Sequence, residues 1–175
     1  MKTIVVYKSK TGFTKKYAQW IAEQLSADIF NISEVNINTL IKYDTIIYGG
    51  SLYAVGILGI DLINKNIDKL KDKKILVFAT GVSPLSDKAI NDITSKNFTQ
   101  EQLKFINFFY LRGGFNYNKL NFFDKFLMTL LKWKIKSKKK EELIPDETLM
   151  LSIFHESVDY TKKENINELI SFIKK

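Results

Sequence analysis

Within six residues, Ser9-Lys10-Thr11-Gly12-Phe13-Thr14, the chain places three hydroxyls and one glycine. Three hydroxyl donors suit the three acceptor oxygens of a phosphate monoester, and a glycine lets the backbone curl around an anion. A helix that starts here adds donors, because its first amides have no intrahelical partner and carry the positive end of the helix dipole. The segment lacks the three glycines of a dinucleotide loop and the Gly-Lys-Ser/Thr ending of a nucleoside-triphosphate loop. A bound mononucleotide is the expectation. Ser, Thr and Gly also gather at helix starts as ordinary caps, and on these six residues alone that reading stands beside the first.

The flanking elements favour a site. Thr3–Tyr7 is a β-branched run of the kind buried on both faces of a parallel sheet. From Thr14 to Leu25 the residues Tyr17, Ala18, Ile21, Ala22 and Leu25 recur at helical spacing, with Lys15, Lys16 and Glu23 facing outward. Further strands are expected at Asp28–Ile32, Asp44–Gly49, Lys74–Ala79 and Phe105–Arg112. Helices are expected at Gly59–Leu70, with Ile60, Ile63, Ile67 and Leu70 on one face, at Asp87–Lys96 and at about 120–136. Leu149–Phe154 reads as a short strand or extended segment, and Thr161-x-x-Glu164 as the capping box of a final helix. This alternation predicts a single doubly wound α/β domain over residues 1–175, with five parallel strands and helices on both faces.

The spacing Ser9-x-Thr11-Gly12-x-Thr14 after the first strand resembles the phosphate loop of the flavodoxin family, whose members bind flavin mononucleotide (FMN). The resemblance implies a three-layer sandwich with strand order 2-1-3-4-5 and the flavin beyond the carboxyl ends of the strands, between the first and third. On that topology the 9–14, 49–56 and 80–83 loops converge on one crevice. Carried over residue by residue, it implies that Ser9, Lys10, Thr11, Gly12, Phe13 and Thr14 hold the phosphate. Gly50, Ser51, Leu52, Tyr53 and Ala54 would meet one side of the flavin ring, and Thr80, Gly81, Val82 and Ser83 the other. Tyr53 is expected to stack on the ring, worth ~1 kcal/mol beyond its buried area, the alternative being a tyrosine on a surface loop. No side chain stands out as a catalytic acid or base, so the chemistry falls to the flavin. Flavodoxins usually place a second aromatic and several acids around the last loop, where Val82-Ser83-Pro84 has neither.

The formal charge of +8 is concentrated. Between Lys119 and Lys140 eight lysines face one acid, Asp124, for a net +7. Phe122, Phe123, Phe126, Leu127, Leu130, Leu131 and Trp133 lie among them. Such a segment can rest on an anionic membrane surface, cover a hydrophobic substrate, or pack on the sheet as a core helix with solvated lysines. Asp124 is expected to cap this helix, Trp20 and Trp133 to pack, and the only histidine, His155, to be structural. The run Arg112-Gly113-Gly114-x-x-Tyr117, then Phe123-Asp124-Lys125-Phe126-Leu127-Met128 and a lysine-rich turn, resembles the menaquinone-dependent protoporphyrinogen oxidases, a flavodoxin-fold branch with a long basic insert. That resemblance implies FMN-dependent oxidation of a porphyrinogen-like substrate with electrons passed to a quinone. It makes about 117–143 the insert and Gly114, Phe115, Phe123, Phe126, Lys138, Lys139 and Lys140 its substrate or membrane residues. The alternative is a small electron carrier with protein redox partners, against which the basic charge speaks, since carrier flavodoxins are typically acidic.

Without cysteine the chain has no disulfide framework, thiolate metal site or cysteine nucleophile, and one histidine makes no metal cluster. No metal is expected, and no recognised motif supports nucleic-acid binding. With no N-terminal hydrophobic segment and no apolar run near the ~18 residues of a membrane span, a cytoplasmic protein is expected, with peripheral contact at the inner membrane face left open.

Overall fold

Five apolar runs become the five strands of one parallel sheet: β1 (Thr3–Lys8), β2 (Asp28–Asn31), β3 (Thr45–Tyr53), β4 (Lys74–Gly81) and β5 (Ile106–Arg112). The computed structural model describes residues 1–143, 145–154 and 157–174, with the side chains of Lys140, Pro145 and Asp146 left aside. His155 lies outside the described residues. The strands stand in the expected order, β2-β1-β3-β4-β5, with Val5 beside Ile47, Ile47 beside Leu76 and Leu76 beside Asn107.

Because side chains alternate along a strand, each central strand feeds two cores. On one face Ile4, Val6, Ile46, Tyr48, Ile75 and Val77 pack with Ile63, Leu70 and Ile93, the last from α2 (Asp87–Asn97). On the other, Val5, Ile47, Leu76 and Phe78 pack with Tyr17, Ala18 and Ile21 of the first long helix, α1 (Phe13–Leu25), and with Leu169, Ile170 and Ile173 near the C-terminus. Three layers result, with the helix starts and strand ends that carry the site at one edge.

Several local expectations give way to tertiary context. Gly59–Leu70 forms two short helical turns, Asp61–Asn64 and Ile67–Leu70, rather than one helix. Asn66 breaks between them, its side-chain amide donating to the Leu62 carbonyl at 2.9 Å. Leu149–Phe154 is not extended. Leu149–Ile153 belong to a helix, Pro145–Ile153, that packs against the insert helix Phe122–Lys136 and buries Ile153, and Phe154 forms the turn after it. The capping box at Thr161 does not form, because the Thr161 hydroxyl donates instead to Asp159 Oδ1 at 2.6 Å. A 3-10 turn at Lys163–Ile166 leads into the final helix, Asn167–Lys174. Val158–Asp159 forms an unforeseen two-residue strand antiparallel to Gly114–Phe115. Among the described residues, no helix is long and apolar enough to cross a membrane.

Candidate functional site

The 9–14 loop turns on Gly12, whose φ of 102° lies in the left-handed region, where an added Cβ would meet no atom but the backbone would be strained. Gly12 is also the residue that precedes α1, and no side chain caps that helix. The first turn of α1 therefore keeps its amides free of side-chain caps. Ser9 Oγ accepts the Gly12 amide at 3.1 Å and fixes the turn. Thr14 stands behind the loop: it is fully buried, with Oγ1 2.7 Å from Ser51 Oγ and 2.6 Å from Thr80 Oγ1. One hydroxyl thus joins the 9–14 segment to Ser51 of β3 and Thr80 of β4, one residue from each of the three segments expected to converge, with Ser51 and Thr80 lying in strands.

The segment expected as a loop from Gly49 is mostly strand. Gly49 to Tyr53 continue β3, and the chain turns through Ala54 (φ 51°) into a short return strand, Gly56–Ile57. Asn97 holds that hairpin, donating from Nδ2 to the Val55 carbonyl at 2.7 Å and accepting the Ile57 amide at 2.8 Å. Leu52 and Tyr53 consequently sit on a framed edge. The 80–83 segment is held from β5, where the Tyr110 hydroxyl donates to the Ser83 carbonyl at 2.6 Å and Arg112 Nε to the Val82 carbonyl at 3.1 Å. Tyr17 donates to the Arg112 carbonyl at 2.7 Å, and burial pushes its phenol pKa up. Gly114 is a close-approach position, since a Cβ there would run into the Val158 carbonyl and the Phe13 ring.

The insert supplies the roof. Asn121 Oδ1 accepts the Asp124 amide at 2.8 Å and caps the insert helix, so Asp124 is not the cap. Its carboxylate is instead buried, 5% exposed, and paired with Lys10 Nζ at 2.5 Å. The same ammonium lies 4.3 Å from the centre of the Tyr53 ring. Lys10, Thr11, Tyr53, Thr80, Gly81, Ser83, Gly114 and Phe115 line one cavity of about 580 Å³ together with Leu120, Asp124, Leu127, Met128 and Leu131 of the insert, and Met150. Phe123 and Phe126 do not line it. With Phe122, Leu130 and Trp133 they form an exposed outer face, Phe122 at 88% and Trp133 at 67%, so Trp133 does not pack as expected. Trp20 does, edge-on to Tyr17 at 5.6 Å. Lys138 pairs with Glu147 at 2.6 Å, and Lys139 is exposed.

Sequence reasoning missed Asp124 as a partner of the loop, and Asn97 and Tyr110 as supports. A lone acid amid lysines and apolar residues was the available signal for Asp124. Nothing local marks Asn97 or Tyr110, whose partners lie 42 and 27 residues away.

The family model described as a flavodoxin domain matches residues 4–142, insert included. An uncharacterised protein of Methanocaldococcus jannaschii is 36% identical over 87 residues, which cover 48% of this chain and 57% of that protein. The chain thus spans little more than half the length of that relative. Among solved structures, a WrbA-like flavodoxin from Agrobacterium tumefaciens is 26% identical over 59% of this chain and 70% of that one, with a TM-score of 0.45. A Lactobacillus acidophilus flavoprotein solved in complex with FMN is 17% identical over 63% of this chain and 91% of its own, with a TM-score of 0.41.

Proposed function

The chain belongs to the flavodoxin domain family, and from that premise we propose that it binds FMN in the cavity beneath the insert and oxidises a reduced, apolar organic substrate of the porphyrinogen class, passing electrons to a quinone. The residues present fit the cofactor. A left-handed Gly12 ahead of an uncapped helix, with the Ser9 and Thr11 hydroxyls beside it, suits a terminal phosphate. A cavity of about 580 Å³ bordered by Tyr53 on one side and Gly81 and Ser83 on another is in the size range of cofactor sites. When bound, FMN supplies an electron acceptor that works in one- or two-electron steps.

The observation that carries the oxidase reading is the roof. Leu120, Leu127, Met128 and Leu131 of the insert, with Met150, give the cavity that Tyr53 also lines an apolar wall. These side chains exclude water and offer a surface to an apolar substrate. The outer face of the same helix, Phe122, Phe123, Phe126, Leu130 and Trp133 bordered by lysines, fits peripheral contact with an anionic lipid surface, where a quinone resides.

The test is an anaerobic assay of protein reconstituted with FMN, given protoporphyrinogen and a menaquinone analogue, with porphyrin fluorescence followed against a flavin-free control. FMN-dependent turnover supports the oxidase reading. FMN binding without turnover replaces it with that of an electron carrier.

A further inference from the structure

One ion pair in the cavity joins parts of the chain that are 114 residues apart. Among the described residues lining the cavity, Lys10 is the one cation, and Asp92 and Asp124 are the acids. Asp124 projects from the insert helix among Leu120, Leu127 and Met128, and its carboxylate meets Lys10 of the 9–14 loop at 2.5 Å. An ammonium has three donors. One is used on Asp124, and the face of the Tyr53 ring, 4.3 Å away, takes the charge without taking a hydrogen-bond acceptor's place. Lys10 keeps 30% of its side chain exposed, whereas Asp124 keeps 6%. The lysine can therefore reach a ligand oxygen while the carboxylate stays where it is.

We propose that Asp124 is a positioning residue that acts through Lys10, tying the insert helix to the bound nucleotide so that closure of the roof and FMN binding favour one another. This rests on the FMN reading above. Pulling Lys10 away from Asp124 would strand a buried carboxylate in an apolar lining, and that cost keeps the pair together when an anionic ligand arrives. Lys10 then bridges carboxylate and ligand. By linkage, whatever the closed insert adds to FMN affinity, FMN returns as stability of the insert.

The experiment uses the full chain as wild type, Lys10→Met, Asp124→Asn and the double variant, each with and without FMN. Hydrogen exchange is read across Phe122–Lys136, and FMN affinity by quenching of flavin fluorescence. Without FMN, Lys10→Met should speed exchange in the insert by stranding Asp124, and the double variant should recover protection, because removing both partners costs less than removing one. With FMN, exchange in the wild-type insert should slow. Each single variant should bind FMN about tenfold more weakly and the double variant no worse than either, the signature of two residues acting as one unit. A merely structural Asp124 would give effects that multiply, and that result overturns the proposal. So does an insert that exchanges faster with FMN, or one that Lys10→Met leaves unchanged while FMN binds normally. Loss and recovery of protection without FMN, in a wild type that takes up no FMN, overturns the FMN reading itself and the coupling with it.

Discussion

Replacing Thr14 by Val keeps the shape of the side chain and removes the hydroxyl that joins three loops. Thr14 is fully buried, so no water takes the vacated position without opening the structure. Two contacts disappear, at 2.7 Å to Ser51 Oγ and 2.6 Å to Thr80 Oγ1, each worth about 1 kcal/mol net. Thr80 is itself only 6% exposed and loses a partner, which holds the estimate near the upper end, about 2–3 kcal/mol. For a chain of this size that is a fall of roughly 4–12 °C in melting temperature. Urea unfolding at constant denaturant slope and a thermal scan measure it, and the Thr14→Val/Thr80→Val cycle isolates the shared bond. Because the same hydroxyl fixes where the 9–14 loop sits relative to Ser51 and Thr80, FMN affinity should fall by about tenfold as well. A loss of stability below about 0.5 kcal/mol, or additive single effects in the cycle, would refute the hub.

Gly114→Ala should displace the short pairing with Val158 and the Phe13 ring beside the cavity, weakening FMN binding more than it lowers the melting temperature; equal affinity in a fluorescence titration would count against this. The Tyr43 hydroxyl donates to Asp28 Oδ2 at 2.7 Å, and that hydrogen bond, with burial, raises its pKa to about 12. Since the folded value lies above the unfolded one, its contribution is complete below about pH 10 and is lost as pH climbs toward 12, so wild type and Tyr43→Phe should converge in stability over that window. Phe126→Asp with Trp133→Asp should abolish flotation with anionic vesicles and leave neutral vesicles unaffected, and unchanged flotation would remove the lipid contact from the outer face.

The sheet was legible because its strands are apolar on both faces, a pattern that needs no knowledge of partners: Ile4, Val5 and Val6 are all fully buried. The convergence of the three segments followed from the strand order that the resemblance to the flavodoxin family implied. What escaped was set by contacts distant in sequence. Gly49 to Tyr53 read as loop because two glycines interrupt the run, yet pairing with β1 and β4 on either side carries the strand through them. Leu149–Phe154 is an apolar run that periodicity cannot assign, although Pro145 followed by Asp146 and Glu147 is the composition of a helix start. The two faces of the insert were equally hidden. Phe126 and Leu127 are both apolar and adjacent, and only the packed structure shows that Leu127 lines the cavity while Phe126 faces out.

In the proposed function, the cavity between the Ser9–Thr14 loop, Tyr53 and the insert holds FMN by its phosphate. Titration of the flavin-free protein with FMN and, separately, with riboflavin, which lacks the phosphate, tests it most directly. One FMN bound per chain, at least tenfold more tightly than riboflavin and weakened by Thr11→Ala, is the predicted result, tenfold corresponding to about 1.4 kcal/mol from the loop. Equal affinity for the two flavins, or binding of neither, would contradict it.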